Sequence, residues 1–149
     1  MLMKKNAIII GTLFLLILIG CKQEPANPIE GAWNLIYVKN IANDSVVSEF
    51  PTTYQGTDIK MWTKDNWSFV ARYKQDTTNW DNYGGGTYTL NGNIYVENVI
   101  FHADKSYIGK KLRMLMTVKN DTLIQIWPVD EKGLVNKSEC HVERYVRLK

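Results

Sequence analysis

Helical periodicity is what this chain most conspicuously lacks. Beyond the first 20 residues, no segment repeats apolar residues at a sustained 3.6-residue spacing. Histidine is nearly absent. His102 and His141 are the only two, and they stand far apart, so no zinc-ligand spacing exists. No phosphate-binding loop or nucleophile elbow is present either. The residues therefore spell no enzyme, and they imply no cofactor and no metal. Runs of lysine and arginine stop at Gly109-Lys110-Lys111. Nucleic acid binding has no electrostatic footprint here. Cysteine occurs twice, at Cys21 and Cys140.

What is present begins with one apolar run. Residues 7–20 carry no charge, Lys4 and Lys5 precede them, and the chain turns polar directly after Cys21. As a helix the run would reach ~21 Å, short of the ~30 Å that a bilayer core requires. A secretory signal fits better than a transmembrane span. Leu18-Ile19-Gly20-Cys21 resembles the lipobox of bacterial lipoproteins. The resemblance implies that the Cys21 thiol is lipidated, that the signal is cut before it, and that the new amine is acylated by a palmitate-type chain. Several acyl chains, at ~0.8 kcal/mol per buried CH₂, anchor stably where one would not. An ordinary signal peptide with an incidental cysteine is the plainer alternative. Lys22 is compatible with sorting to the outer membrane of a Gram-negative bacterium, on its periplasmic or its surface face. With Cys21 acylated, Cys140 has no disulfide partner. It sits in an alternating pattern and reads as a buried structural thiol.

Domains follow from this start: signal peptide 1–20, lipidated tether 21–30, one folded domain 31–149. About 129 residues remain after cleavage, with a formal charge of about +1 in place of +3. The tether holds two prolines and no apolar period. The domain is predicted to be all-β. Eight short runs rich in aromatic and β-branched residues read as strands: 32–39, 58–63, 67–74, 87–90, 94–102, 111–118, 122–127 and 140–148. Run 111–118 alternates most clearly, with Leu112, Met114, Met116 and Val118 on one face. Tight turns at Lys64-Asp65-Asn66, Asn91-Gly92-Asn93 and Lys119-Asn120-Asp121 alternate with long connections at 40–57, 75–86, 103–110 and 128–139. In an up-and-down arrangement, the long loops then share one end and the short turns the other. This is the pattern of an eight-stranded antiparallel barrel with an open mouth and a closed base. A β-sandwich with irregular loops is the alternative.

Gly31-Ala32-Trp33 opens the first strand and resembles the Gly-x-Trp motif of lipocalins and their calycin relatives. Tyr145-Val146-Arg147-Leu148 is similar to the ending of small bacterial lipocalin-like lipoproteins, as is the stretch from Gly86 to His102. In lipocalins the motif tryptophan closes the base under an arginine from near the chain end. The resemblance, covering residues 31–149, implies that role for Trp33 and Arg147. Loop counting by itself also brings the two strand ends together at the base. Strand parity, however, groups Arg144 with Cys140, Val142 and Val146, so either a bulge shifts the register or Arg144 is the partner.

Two functions fit such a barrel. One is a small hydrophobic ligand held in an apolar lumen lined by Leu35, Tyr37, Phe69, Tyr73, Tyr88, Met114, Met116 and Ile126. The other is a filled barrel whose mouth loops, with Tyr54, Trp80 and Tyr83, contact a protein or glycan at the cell surface. Glu97, pointing inward, would be a buried carboxylate able to orient a polar ligand group. Gly84-Gly85-Gly86 reads as a flexible turn or as a mobile lid beside Trp80 and Tyr83. His102 and His141 read as solvated strand ends. The partners expected are a bilayer and a small molecule, bound by a monomer.

Replacing Cys21 with serine should leave an unprocessed, full-length precursor. Mass spectrometry of the membrane fraction tests this: normal cleavage and membrane retention of the variant would remove the lipobox reading.

Overall fold

The computed structural model describes residues 27–149. The signal segment, Cys21 and the start of the tether lie outside the described residues. Nine antiparallel strands follow in chain order: β1 Gly31–Ala42, β2 Ser45–Phe50, β3 Gln55–Trp62, β4 Asn66–Gln75, β5 Thr78–Asn91, β6 Ile94–His102, β7 Lys111–Lys119, β8 Thr122–Trp127 and β9 Cys140–Arg147. A 3₁₀ turn, Lys105–Tyr107, lies between β6 and β7. Eight of the strands close a ring in the order β1, β3, β4, β5, β6, β7, β8, β9 and back to β1. This is an all-β, eight-stranded antiparallel up-and-down barrel, compatible with a lipocalin-like fold.

The ninth strand revises the first long connection. Residues 40–57 form no open loop: β2 folds back on the upper half of β1, with Val38 opposite Phe50 and Ala42 opposite Ser45. Asn43 and Asp44 make the turn at φ of 50° and 59°, a conformation that short polar side chains tolerate best. Residues 75–86 are no loop either. β4 and β5 continue past the barrel wall as a hairpin that turns at residues 76–77. Cross-strand pairs such as Tyr73 with Trp80 and Arg72 with Asp81 give it reasons to stay paired. The three glycines sit inside β5, not in a turn or a lid. A Cβ on Gly84 would stand 2.6 Å from Phe69, and one on Gly85 2.4 Å from Phe101. Their missing side chains make room for aromatic rings on both faces of the wall.

Two bulges set which side chains face inward. Leu35 pairs with Tyr145 but Tyr37 pairs with Arg144, which leaves Ile36 extra on β1. Trp33 and Leu35 point inward below the bulge, Val38 and Asn40 above it. A second extra residue, Ile100 on β6, turns His102 inward and leaves Ile100 and Phe101 on the outer surface.

The base is closed by Trp33, which is fully buried. Its Nε1 donates to the Ile29 carbonyl at 2.8 Å, and the Arg147 guanidinium lies 4.1 Å from its ring centre. Arg147 also donates to the carbonyls of Glu30 and Pro28, at 2.6 and 2.8 Å. Residues 27–30 are therefore packed against the barrel. Gly31 holds φ +119°, and a Cβ there would meet Arg147 Nη1 at 2.9 Å, so the motif glycine clears a path for the arginine. Arg144 points outward, 5.4 Å from the Tyr37 ring centre, and is no partner of Trp33. The inward parity of β9 belongs to His141, Glu143, Tyr145 and Arg147, opposite to the grouping of Arg144 with the valines.

Truncating Trp33 to alanine should cost ~3–5 kcal/mol, read as a shift in the denaturation midpoint. Arg147→Ala should cost ~1–2 kcal/mol more than Arg144→Ala, since it loses a desolvated cation–π contact and two carbonyl bonds. Equal losses for the two arginines would contradict this account of the base.

Candidate functional site

Above the base core the barrel is hollow. A cavity of about 530 Å³ runs from Lys60, Gln125 and Met114 at its floor to Trp80, Asp104 and Tyr107 at the mouth. Its two sides differ in chemistry. Strands β4 to β7 supply Trp67, Phe69, Tyr73, Val99, Leu112 and Met114, an aromatic and aliphatic wall that carries one inner carboxylate, Glu97, and bears Asp81, Asn82 and His102 toward the mouth. Strands β3, β1, β9 and β8 are contiguous in the ring and supply the polar side: Asp58 and Lys60, Asn40, His141 and Glu143, and Gln125.

Lys60 and Glu97 form the floor's ion pair. Nζ to Oε1 is 2.6 Å, with both residues buried. Lys60 Nζ also lies 5.1 and 5.0 Å from the rings of Trp62 and Trp67, and 3.4 Å from Gln125 Oε1. The Tyr95 hydroxyl donates to Glu97 at 3.1 Å and accepts from Trp62 Nε1 at 2.8 Å. Burial pushes the Glu97 carboxyl up, and the Lys60 ammonium opposes it. Removing one partner of such a pair strands a buried charge, at a cost of about 3–5 kcal/mol.

Glu143 is held without any cation. It accepts from Gln125 Nε2 at 3.0 Å, Trp127 Nε1 at 2.8 Å and the Tyr145 hydroxyl at 2.6 Å. His141 stacks on Trp127, ring centres 4.0 Å apart, with Nδ1 2.5 Å from Asn40 Oδ1. Burial lowers its pKa, against the pull of Glu143, which keeps the ring neutral at pH 7.

Asp58 is the least satisfied group. The Tyr73 hydroxyl donates to its Oδ2 at 2.5 Å, while Oδ1 has no hydrogen-bond partner. Its residue is only 6% exposed. Desolvation is the main reason its carboxyl is pushed up to about 6. Glu143 adds to the shift, while Tyr73 and Lys60 oppose it. Above that pH a buried, half-satisfied carboxylate burdens the fold.

No protein-family model matches this chain, and no match is found among curated proteins. The site therefore stands on its own geometry.

That geometry sorts the residues singled out from the sequence. Phe69, Tyr73, Trp80, Glu97 and Met114 line the cavity. Tyr88 and Met116 are buried in the core without lining it. The Tyr88 hydroxyl donates to the Thr63 carbonyl and accepts from Asn27, at 2.7 Å each. Tyr37 is no lumen residue: the Ile36 bulge turns it outward, where its hydroxyl donates to Glu49. Tyr83 is likewise outside the cavity and half exposed. Ile126 faces outward, paired with Leu115 and Val142. His102, at the end of β6, and His141, second residue of β9, are half-buried and both line the cavity. The lumen is not wholly apolar, because Asp58, Lys60, Gln125 and Glu143 were missed. Apolar-in alternation reads β3, β8 and β9 backwards, and no local signal marks them as inverted.

Asp58→Asn should stabilise the protein at pH 8. The folded carboxyl titrates near 6 and the unfolded one near 3.9, so ionised Asp58 costs roughly 3 kcal/mol above pH 6. That cost disappears as pH falls from 6 to 4, because the folded state takes up the proton first. Urea denaturation at pH 8 and pH 4 should show a gain of up to ~3 kcal/mol at the higher pH and almost none at the lower. A destabilised variant at pH 8 would contradict the assignment.

Proposed function

We propose that this chain is a lipid-anchored, lipocalin-like binding protein that carries a small, mainly hydrophobic molecule in its barrel. The observation that carries the reading is the unfilled cavity of about 530 Å³ behind an aromatic wall. That volume suits a single small ligand, and rings packed edge-on or stacked, such as Trp67 on Phe69, offer a flat, apolar surface. A barrel filled by its own side chains would favour contact through the mouth instead. The open lumen supports the first reading over the second.

The lipobox resemblance of Leu18–Cys21 supports anchoring at Cys21 in the outer membrane of a Gram-negative bacterium. Gly-x-Trp and the arginine above its indole support a place among calycin-like proteins. The chain enters β1 at the closed base, so an anchor at Cys21 would hold that end toward the bilayer and present the mouth away from it. No enzyme chemistry, cofactor or nucleic acid enters this reading, and the monomer suffices for it.

Native mass spectrometry of protein purified from its own host tests the proposal. A small molecule should remain bound to the intact barrel and leave on denaturation. A variant that narrows the lumen from an existing lining side chain, Leu112→Trp, should retain less of it while still folding. Protein that is mass-pure from every growth condition would count against a carried ligand.

A further inference from the structure

We propose that the ligand carries a primary amine or another monovalent organic cation, and that Asp58 is its carboxylate partner. This rests on the reading of the cavity as a ligand site and adds the ligand's charge to it.

The charge balance of the cavity is the first argument. Five carboxylates line it, Asp58, Glu97 and Glu143 inside and Asp81 and Asp104 at the mouth, against one ammonium, Lys60; Asp81 is paired with Arg72 and Asp104 accepts from the Ser106 amide. That ammonium is already committed to Glu97 at 2.6 Å. Glu143 has three neutral donors. Asp58 has one, the Tyr73 hydroxyl, and an oxygen with nothing to accept from. A buried polar atom without a partner is costly, and groups retained at such a cost concentrate at functional sites. A donor arriving with a positive charge would satisfy the free oxygen and reduce the excess of negative charge together.

The surroundings of Asp58 supply the second argument. Tyr54, Tyr73 and Trp80 contact one another, with ring centres 5.3, 6.0 and 5.5 Å apart. All three line the same cavity as Asp58. Ring faces attract a cation, best when water is excluded. The same arrangement opposes an anion twice, through the carboxylates and through the rings. A metal ion is disfavoured as well, since no group of three histidine, cysteine, aspartate or glutamate side chains among the described residues could hold one. An organic cation needs only one carboxylate and an aromatic enclosure.

The titratable groups facing Asp58 are Lys60 on its own strand, Tyr54 before β3, Tyr73 on β4, and Glu143 and Tyr145 on β9. Both tyrosines of the mouth side and Tyr145 have pKa values raised by burial and stay neutral at pH 8. Asp58 is the facing carboxyl that loses its charge as pH falls from 8 to 5; His141, lowered by burial, and Glu97, raised by it, line the same cavity, and the Asp58→Asn variant separates their contribution from that of Asp58.

Three isosteric probes separate charge from shape: phenethylamine, 2-phenylethanol and phenylacetate. They are titrated calorimetrically into the full mature protein in lipid nanodiscs at pH 8. Phenethylamine should bind at least tenfold more tightly than 2-phenylethanol, and phenylacetate most weakly. Asp58→Asn should reduce phenethylamine affinity at least tenfold and change 2-phenylethanol affinity less than twofold. Lowering the pH to 5 should draw the amine toward the alcohol in the native protein but not in the variant. If the alcohol binds and the amine binds no more tightly, the charge assignment fails while the cavity reading stands. The same holds if Asp58→Asn leaves the amine unaffected. If none of the three probes binds, both readings fail.

Discussion

The pairing of β1 with β9 closes the ring, and the placement of every inward side chain depends on its register. Trp33 lies opposite Arg147 at one end and Ile41 opposite Cys140 at the other. Between them, the bulge at Ile36 adds one residue to β1. Because side chains alternate with a period of two, that single residue exchanges the faces of everything above it. Below the bulge the barrel presents Trp33 and Leu35 to the base core. Above it Val38 and Asn40 line the cavity and Tyr37 is turned out. Arg147, reaching under Gly31 to the carbonyls of Pro28 and Glu30, ties the segment before β1 to the end of β9 and pins this register.

A barrel with a polar half inside must offset the desolvation of that half. Most of the groups do so by pairing with one another: Lys60 with Glu97, and Glu143 with an amide, an indole and a phenol. Neutral donors on Glu143 avoid the expense of a second buried cation, but they leave the cavity with more carboxylate than ammonium. Asp58 is the residue at which the pairing stops short. Its raised pKa is the signature of that shortfall. On the proposed reading of the cavity, local stability and readiness for a ligand pull against each other at this position.

The outer surface reflects the inner arrangement. With Gln125, Glu143 and His141 turned inward, Ile124, Ile126, Val142 and Val146 must face out. The 128–139 segment runs back along the neighbouring outer face of β6 and β7. Val129 donates from its backbone to the Arg113 carbonyl, and a Cβ on Gly133 would stand 2.7 Å from Ile94 and 3.8 Å from Leu115. A long connection that reads from composition as a mouth loop is in part a cover for the wall.

Strand content, turn positions and the two ends of the barrel were legible because they depend on local chemistry. β-branched and aromatic residues favour extended backbone, and Asn, Asp and Gly favour tight turns. Where alternation agreed with burial, as in β7 with Leu112, Met114 and Met116, the inward face was legible too. The signal and lipobox readings of residues 4–21 rest on sequence alone and lie outside the described residues. What only the tertiary structure decided is which face of β3, β8 and β9 turns inward, and hence that the cavity has an acidic side. Hydrophobic alternation fixes a face only when the interior is dry. Here polar groups satisfy one another across strands that are distant in sequence, as Lys60 and Glu97 do. Such pairing has no signature in the segment that contributes either partner.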